Sequence, residues 1–519
     1  MSGAAAASVD GSDRAEAPAT VAARPRRFDD PRLLTRIAVV AVFLVGFGVR
    51  LNLLLRGGGL LGIGAYDDGV YYSAAAQLLH GHLPYRDYLF VQPPDIVVLL
   101  APFAALAHLI GDPAAIVTMR IAFELLGGLN AVLVLLTLRR FGLPAAVVGG
   151  LFYAVLYPAA YDERTALLEP LGSTGVLVAL LILSRIRVGV TSPRWFVVAG
   201  VALGIAIDLK IWYLVPLFVI VAFATGGRLR VLLGAVGAVF IGYLPFFLAA
   251  PAESFTQIVL DQLGRKRGGT MINRFESFLG VDGSGPYSTL PHVGSQTVAL
   301  ITVALLGAAL LAVLADRRAW LYATLLVTSV MVLMASPSYF EHYASLVAPP
   351  LALVVGVTAG RILGLIRERP RRLIALAVML VAVVGLNIRH DLKGADQTVP
   401  VAGLQAAAQK VPGCIYSDEP TLLAIMGVLT RDLDHGCAVQ PDMSGISFDP
   451  AGHPPGQPRI ARTKNDVYQG LALQYLRSGS AFIAVRSGAA LSDATKQELA
   501  RNRALFSDGK YVLRVGGTP

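Results

Sequence analysis

Long apolar runs alternate along this chain with short polar connections rich in arginine. Eleven runs, near 37–55, 114–138, 144–160, 170–186, 195–209, 211–226, 231–250, 297–315, 319–335, 344–366 and 373–388, predict membrane-spanning helices, since a hydrocarbon core needs about 20 apolar residues per crossing. A further run, 95–110, follows Pro93-Pro94 and contains Pro102 and His108. It is short for a span and is expected to lie as a helix in the outer interface. Residues 1–30 carry Ala, Asp and Arg without an apolar core and read as a disordered tail, not a cleavable signal. After about residue 389 the pattern changes: Asp, Gln, Ser and Thr increase. Segments such as Cys414-Ile415-Tyr416 and Ala481-Phe482-Ile483-Ala484-Val485 predict buried strands between helical stretches, hence a small α/β domain over 391–519.

Composition agrees with a membrane reading: 55% of the 519 residues are hydrophobic and only 15% charged, against about 25% charged in a soluble domain. The net charge of +10 resides mostly in clusters between spans, a topogenic pattern that argues against nucleic acid as a partner. Arg24, Arg26, Arg27, Arg32 and Arg36 precede the first span and place the amino terminus in the cytoplasm. With eleven spans, Arg139-Arg140, Arg185/Arg187/Arg194, Arg228/Arg230, Asp316-Arg317-Arg318 and Arg367/Arg369/Arg371/Arg372 also fall on the cytoplasmic side. Counting 95–110 as a span would put all five of these outside. The expected outer face of this plasma-membrane protein therefore holds the loops 56–113 and 251–296 and the carboxyl-terminal domain. The two cysteines, Cys414 and Cys437, both fall in that domain, where an oxidising compartment favours a bridge over two buried thiols.

The chemistry concentrates in the first outer loop. Tyr66-Asp67-Asp68-Gly69-Val70-Tyr71-Tyr72 opens a small-residue helix, and acids at a helix start are stabilised by the macrodipole whether or not they do chemistry. Paired acids also suit Mg²⁺ or Mn²⁺. His80 and His82 have no companions spaced for a structural zinc site. No glycine-rich phosphate loop speaks for a nucleotide-sugar donor. Arg120 and Glu124, one helical turn apart, are expected to neutralise each other within the bilayer.

The order of these features resembles the GT-C superfamily of polyprenyl-phosphate-dependent glycosyltransferases, such as lipid A aminoarabinose transferase and the protein O-mannosyltransferases. The matching elements are the acid pair Asp67-Asp68, Pro93-Pro94, Gly111-Asp112 with Arg120, Leu168-Glu169-Pro170, Asp208-Leu209-Lys210, and Glu341-His342-Tyr343 before Pro349-Pro350. The second acid departs from the superfamily's commoner Glu. The resemblance implies an α-helical polytopic membrane fold. It implies a sugar passed from a polyprenyl-phosphate donor, by a single inverting displacement, to a hydroxyl of an envelope glycan, glycolipid or protein. Asp67 would be the base, its pKa raised by desolvation, with Asp68 positioning it or binding acceptor hydroxyls and Glu169 orienting the acceptor. The leaving phosphate would be held by Lys210, with Arg265, Lys266, Arg267 or Arg274, and with His342 and Tyr343 close to the donor. The basic run 265–267 could equally meet anionic headgroups. No cofactor is implied. High Ala, Arg and Gly content suits a GC-rich source in which arabinose or mannose would be the sugar. Two other classes fit the pattern less well: a flippase of lipid-linked glycans, which needs charges at the bilayer midplane, and a non-catalytic envelope-assembly protein working through its outer domain.

Overall fold

The structure is a computed structural model that describes residues 30–186, 192–263, 265, 270–279, 295–391, 397–447, 460–486 and 490–517. Helices dominate. In chain order the first ten that matter are α1 (Pro31–Gly57), α2 (Tyr66–Leu79), α3 (Asp95–Ile110), α4 (Asp112–Leu138), α5 (Leu143–Val155), α6 (Tyr157–Asp162), α7 (Leu168–Arg185), α8 (Arg194–Leu209), α9 (Leu214–Phe223) and α10 (Arg228–Ala249). Ser295–Leu314, Trp320–Ala335, Ala348–Leu365 and Arg369–Asp391 complete the bundle. Each of the eleven expected spans overlaps helix, but 144–160 is broken at Leu156 into α5 and α6, and 211–226 holds only the ten-residue α9 after a short 3-10 turn. Among the described residues, six are long and apolar enough to cross a bilayer by length and composition, making this a multi-pass membrane protein.

Local signals account for the helix starts. Asp30 caps α1 by accepting from the Arg32 N–H at 2.8 Å, with Pro31 in the first turn. Small residues then permit close packing within the bundle. A side-chain carbon on Gly200 would lie 2.1 Å from the Val231 carbonyl, so α8 and α10 meet backbone to backbone. A buried ionic knot ties α1, α4 and α5 to the segment after α6. Arg50 Nε donates to Glu163 Oε2 at 2.8 Å, and Asn130 and Tyr153 donate to Glu163 Oε1 at 2.6 and 2.8 Å. At one end of the bundle Arg140 donates to the Arg318 carbonyl at 2.6 Å, so two of the arginine clusters converge, as a shared topogenic face requires.

The carboxyl-terminal region forms a four-stranded mixed sheet, β1 (Ile415–Ser417), β2 (Ala481–Ile483), β3 (Ala504–Asp508) and β4 (Tyr511–Val515), in the order β1-β2-β4-β3. β1 and β2 run parallel with Ile415 opposite Ala481, and both are fully buried. The Cys414–Cys437 disulfide (Cα–Cα 5.7 Å) ties the entry of β1 to the loop after the helix Leu429–Asp434. This domain does not stand off from the bundle. Leu422, Leu423, Ile425 and Met426 share one apolar core with Tyr71, Ala74 and Ala75 of α2. Ile63 and Gln397 exchange backbone hydrogen bonds of 2.9 and 2.7 Å. Asp112 accepts from the Thr430 N–H and hydroxyl at 3.0 and 2.7 Å.

The closest approach is at Gly69, where an added Cβ would lie 2.2 Å from Thr421 Oγ1 and 2.4 Å from the Thr421 backbone nitrogen. Gly69→Ala is therefore expected to destabilise the docked domain by about 1–3 kcal/mol through overpacking. Truncating Thr421 should not rescue it, because the backbone atom clashes too; thermal unfolding of the single and double variants measures this.

Candidate functional site

The acid pair opens α2, where successive side chains diverge by about 100° around the axis. That divergence separates the two acids. Asp68 is fully buried and faces α4: Arg120 donates to its Oδ2 through Nε at 2.8 Å while also holding the Leu60 and Gly62 carbonyls at 2.8 and 2.9 Å. Arg120 thus pairs α4 with Asp68 of α2. Of the two roles expected for Asp68, its full burial and its absence from the cavity lining suit positioning Asp67 rather than binding acceptor hydroxyls. Asp67 keeps 31% of its side chain exposed and faces a cavity of about 410 Å³.

Two walls enclose this cavity. The bundle wall carries Asp67, Tyr71, Phe90, Tyr161, Arg265, Glu341, His342 and Tyr343. The opposite wall belongs to the carboxyl-terminal domain and presents Glu419, Asp442, Ser444, Arg462 and Arg486. On the bundle side Tyr71 donates to Asp67 Oδ2 at 3.5 Å, and His342 Nε2 lies 3.8 Å from the same oxygen. His342 Nε2 is also 3.9 Å from Glu169 Oε1. Glu169 in turn is buried in an ion pair with Lys210. The Lys210 ammonium sits 3.8 Å from the Tyr343 ring centre and 4.5 Å from that of Trp212, a cation–π cage. Asp67, His342, Glu169 and Lys210 therefore form one chain of alternating acids and bases running from the cavity into the protein.

The structure distributes the other expected anion binders unevenly. Arg265 lines the cavity and donates to the Tyr343 hydroxyl at 3.5 Å. Lys266 and Arg267 lie outside the described residues. Arg274, expected at a phosphate, is fully buried and donates to the Leu333, Ser336 and Pro337 carbonyls at 2.9, 2.6 and 3.1 Å, so it clamps a turn. Only Asp67 of the tandem acids lines the cavity. Among the described residues no group of three or more His, Cys, Asp or Glu converges on a common point.

The domain wall was missed from the sequence. Tyr66, directly before the acids, joins the two sides: its hydroxyl donates to Asp442 Oδ1 at 3.1 Å and accepts from the Ser444 N–H at 3.2 Å, and the Arg486 guanidinium lies 3.6 Å from its ring centre. Burial pushes the Glu419 carboxyl up to about 8, with the neighbouring charges of Asp418 and Asp68 adding to the rise. Burial, then the charge of Asp67, likewise raises Asp442. One signal was available. Asp418-Glu419 and Arg486 come at the carboxyl ends of two strand-like segments, and the carboxyl ends of parallel strands are where such sheets bind ligands.

Comparison with known proteins bears on the fold. No protein-family profile matches the chain, and no curated protein matches its sequence. Among solved structures, ArnT from Cupriavidus metallidurans in the apo state has a TM-score of 0.59 at 16% identity, covering 93% of this chain and 99% of that one. The same protein bound to undecaprenyl phosphate gives 0.59 at 16%, over 94% and 99%. The oligosaccharyltransferase AglB from Archaeoglobus fulgidus, in complex with an inhibitory peptide and a dolichol-phosphate, gives 0.53 at 11%, over 87% and 69%. The chain thus shares the fold of ArnT and AglB, with a small carboxyl-terminal sheet.

Two outcomes follow from these environments. Arg120→Met leaves Asp68 buried without its cation and is expected to cost about 3–5 kcal/mol, whereas Asp67→Asn should leave the melting temperature close to wild type; denaturation of both variants in detergent checks this. The raised Glu419 also carries a pH signature. Both folded and unfolded carboxyls are protonated below the ordinary value of 4.5, and from there to about 8 only the unfolded chain loses its proton. Stability should therefore fall as pH rises through that window, and Glu419→Gln should flatten the slope.

Proposed function

We propose that this chain is an integral-membrane glycosyltransferase that takes a sugar from a polyprenyl-phosphate donor and passes it to an acceptor hydroxyl of an envelope glycan, glycolipid or protein. The observation that carries this reading is the placement of Asp67. It is a carboxylate facing a cavity of about 410 Å³, with His342 at 3.8 Å and with Arg265 and Tyr343 on the same wall.

In this reading Asp67 accepts the proton of the incoming hydroxyl as its oxygen attacks the anomeric carbon. The bond to the phosphate oxygen breaks on the far side, giving inversion. The departing phosphate meets Arg265 and the Tyr343 hydroxyl, with the Lys210 ammonium behind that ring. Glu169 holds Lys210 in place and shares His342 with Asp67, so its role is to position the cation. The lipid tail of the donor stays with the apolar bundle, the amino terminus is cytoplasmic, and the carboxyl-terminal domain lies on the extracytoplasmic side. The likeness to the structure of ArnT bound to undecaprenyl phosphate supports the donor class. Arabinose or mannose remains the proposed sugar.

The test is Asp67→Asn in membranes supplied with radiolabelled sugar on undecaprenyl phosphate. Loss of the base should lower transfer by about 10²–10⁴-fold while undecaprenyl phosphate binding persists. Undiminished transfer by the variant would remove Asp67 from the mechanism. Movement of the lipid between leaflets without transfer would identify a flippase instead.

A further inference from the structure

We infer that the wall supplied by the carboxyl-terminal domain is an acceptor subsite for an anionic saccharide, whose phosphate or carboxylate is held by Arg486 and Arg462 beside the hydroxyl that reaches Asp67. The inference rests on the transferase reading above and adds the chemical class of the acceptor.

The wall stands at the carboxyl ends of the parallel strands β1 and β2, the edge at which such pairs present ligand-binding groups. Asp418, just after β1, accepts from the Val485 and Arg486 N–H groups at 2.8 and 3.0 Å, which fixes the backbone from which the Arg486 side chain departs. That side chain then lies flat on Tyr66 at 3.6 Å and donates to Ser444 Oγ. A guanidinium has five N–H donors. Among the described residues, Ser444 is the one side-chain or carbonyl acceptor hydrogen-bonded to that of Arg486. Its stacking on Tyr66 holds the planar fork in a fixed orientation on the cavity lining, the arrangement that grips a carboxylate or phosphate by two parallel bonds.

The acids on this wall are already engaged. Asp442 accepts from the Tyr66 hydroxyl at 3.1 Å and the Gly445 N–H at 2.8 Å, and Glu419 accepts from the Thr421 hydroxyl at 2.8 Å. With its carboxyl pushed up to about 8, Glu419 is largely neutral at pH 7. A second guanidinium, Arg462, lines the same cavity and is anchored by Ser447 Oγ at 3.1 Å. Burial, together with the like charge of Arg486, disfavours its charged form. An anion bridging the two arginines relieves that repulsion.

Position then separates acceptor from donor. In a single displacement the nucleophile and the leaving group lie on opposite sides of the anomeric carbon. With the leaving phosphate at Arg265 and Tyr343 on the bundle wall, the acceptor lies towards the domain wall. A cavity of about 410 Å³ is of the size that encloses small ligands.

Binding of glucose 6-phosphate, glucuronate, glucose and inorganic phosphate to the full chain in detergent tests this, with undecaprenyl phosphate binding measured on the same samples. The expected result is that at least one anionic sugar binds ten-fold or more tightly than glucose. Whichever of the two it is tells phosphate from carboxylate. Arg486→Gln and Arg462→Gln should each bring that affinity down to the glucose level, Arg486→Lys should recover part of it, and Arg265→Gln should leave it intact. Melting temperatures identify any variant that fails to fold, in which case Arg486→Lys and Arg462→Gln decide. Equal binding of all four probes, or anion binding that is lost with Arg265→Gln and kept in Arg486→Gln, overturns the inference. If undecaprenyl phosphate still binds in those cases, the transferase reading stands without it; failure of wild type to bind undecaprenyl phosphate overturns both.

Discussion

The site depends on one buried ion pair. Asp68 and Arg120 meet at 2.8 Å with both side chains wholly inside the protein. Because Arg120 also holds two carbonyls of the loop entering α2, it sets both the position and the rotation of that helix. A pair at this depth gives little net stability relative to apolar replacements, since desolving both charges offsets most of their attraction. What it contributes is register: with Asp68 pinned to α4, Asp67 one residue earlier must point into the cavity. The rest follows from that rotation. Tyr66 turns towards the domain, Tyr71 lies over Asp67 one helical turn on, and Gly69 meets Thr421.

This explains which parts were legible in the sequence. The bundle was, because apolar runs of spanning length and arginine clusters between them are one-dimensional signals. The acid pair was visible too, but its division of labour was not, because no local pattern says which of two neighbouring carboxylates faces a cavity. Arg120 shows the difficulty. Spacing on one helix suggests only Glu124 as partner, yet Arg120 also hydrogen-bonds an acid 52 residues away in sequence. Arg274 and the ionic knot at Glu163 share this character, since a buried arginine reads alike in sequence whether it binds carbonyls, a carboxylate or a phosphate. The domain wall stayed hidden for a further reason. Arg486 becomes a site residue only when its domain docks on Tyr66, a contact spanning more than 400 residues of chain.

Electrostatically the cavity is graded. On the bundle side charges come in compensated steps, with Glu169 between Lys210 and His342 and His342 between Glu169 and Asp67. A proton or an anion arriving at one member is felt along the series, because the inner members are shielded from water and interact in a low effective dielectric. On the domain side the acids are occupied by hydroxyl and backbone donors, and the guanidiniums face inward. The two walls therefore differ in what they can accept, although they enclose the same volume.

The placement of Tyr66 and Arg486 at distant points of the chain has a consequence for biogenesis. A ribosome delivers the acid-bearing helix early and the arginine that covers its neighbouring tyrosine about 420 residues later. Until those last strands emerge and join the sheet, the cavity lacks one side and Tyr66 lacks the ring-stacked cover and hydroxyl partners that hold it. A nascent chain is thus inserted in the bilayer with this cavity still open on one side, and only the completion of synthesis closes it.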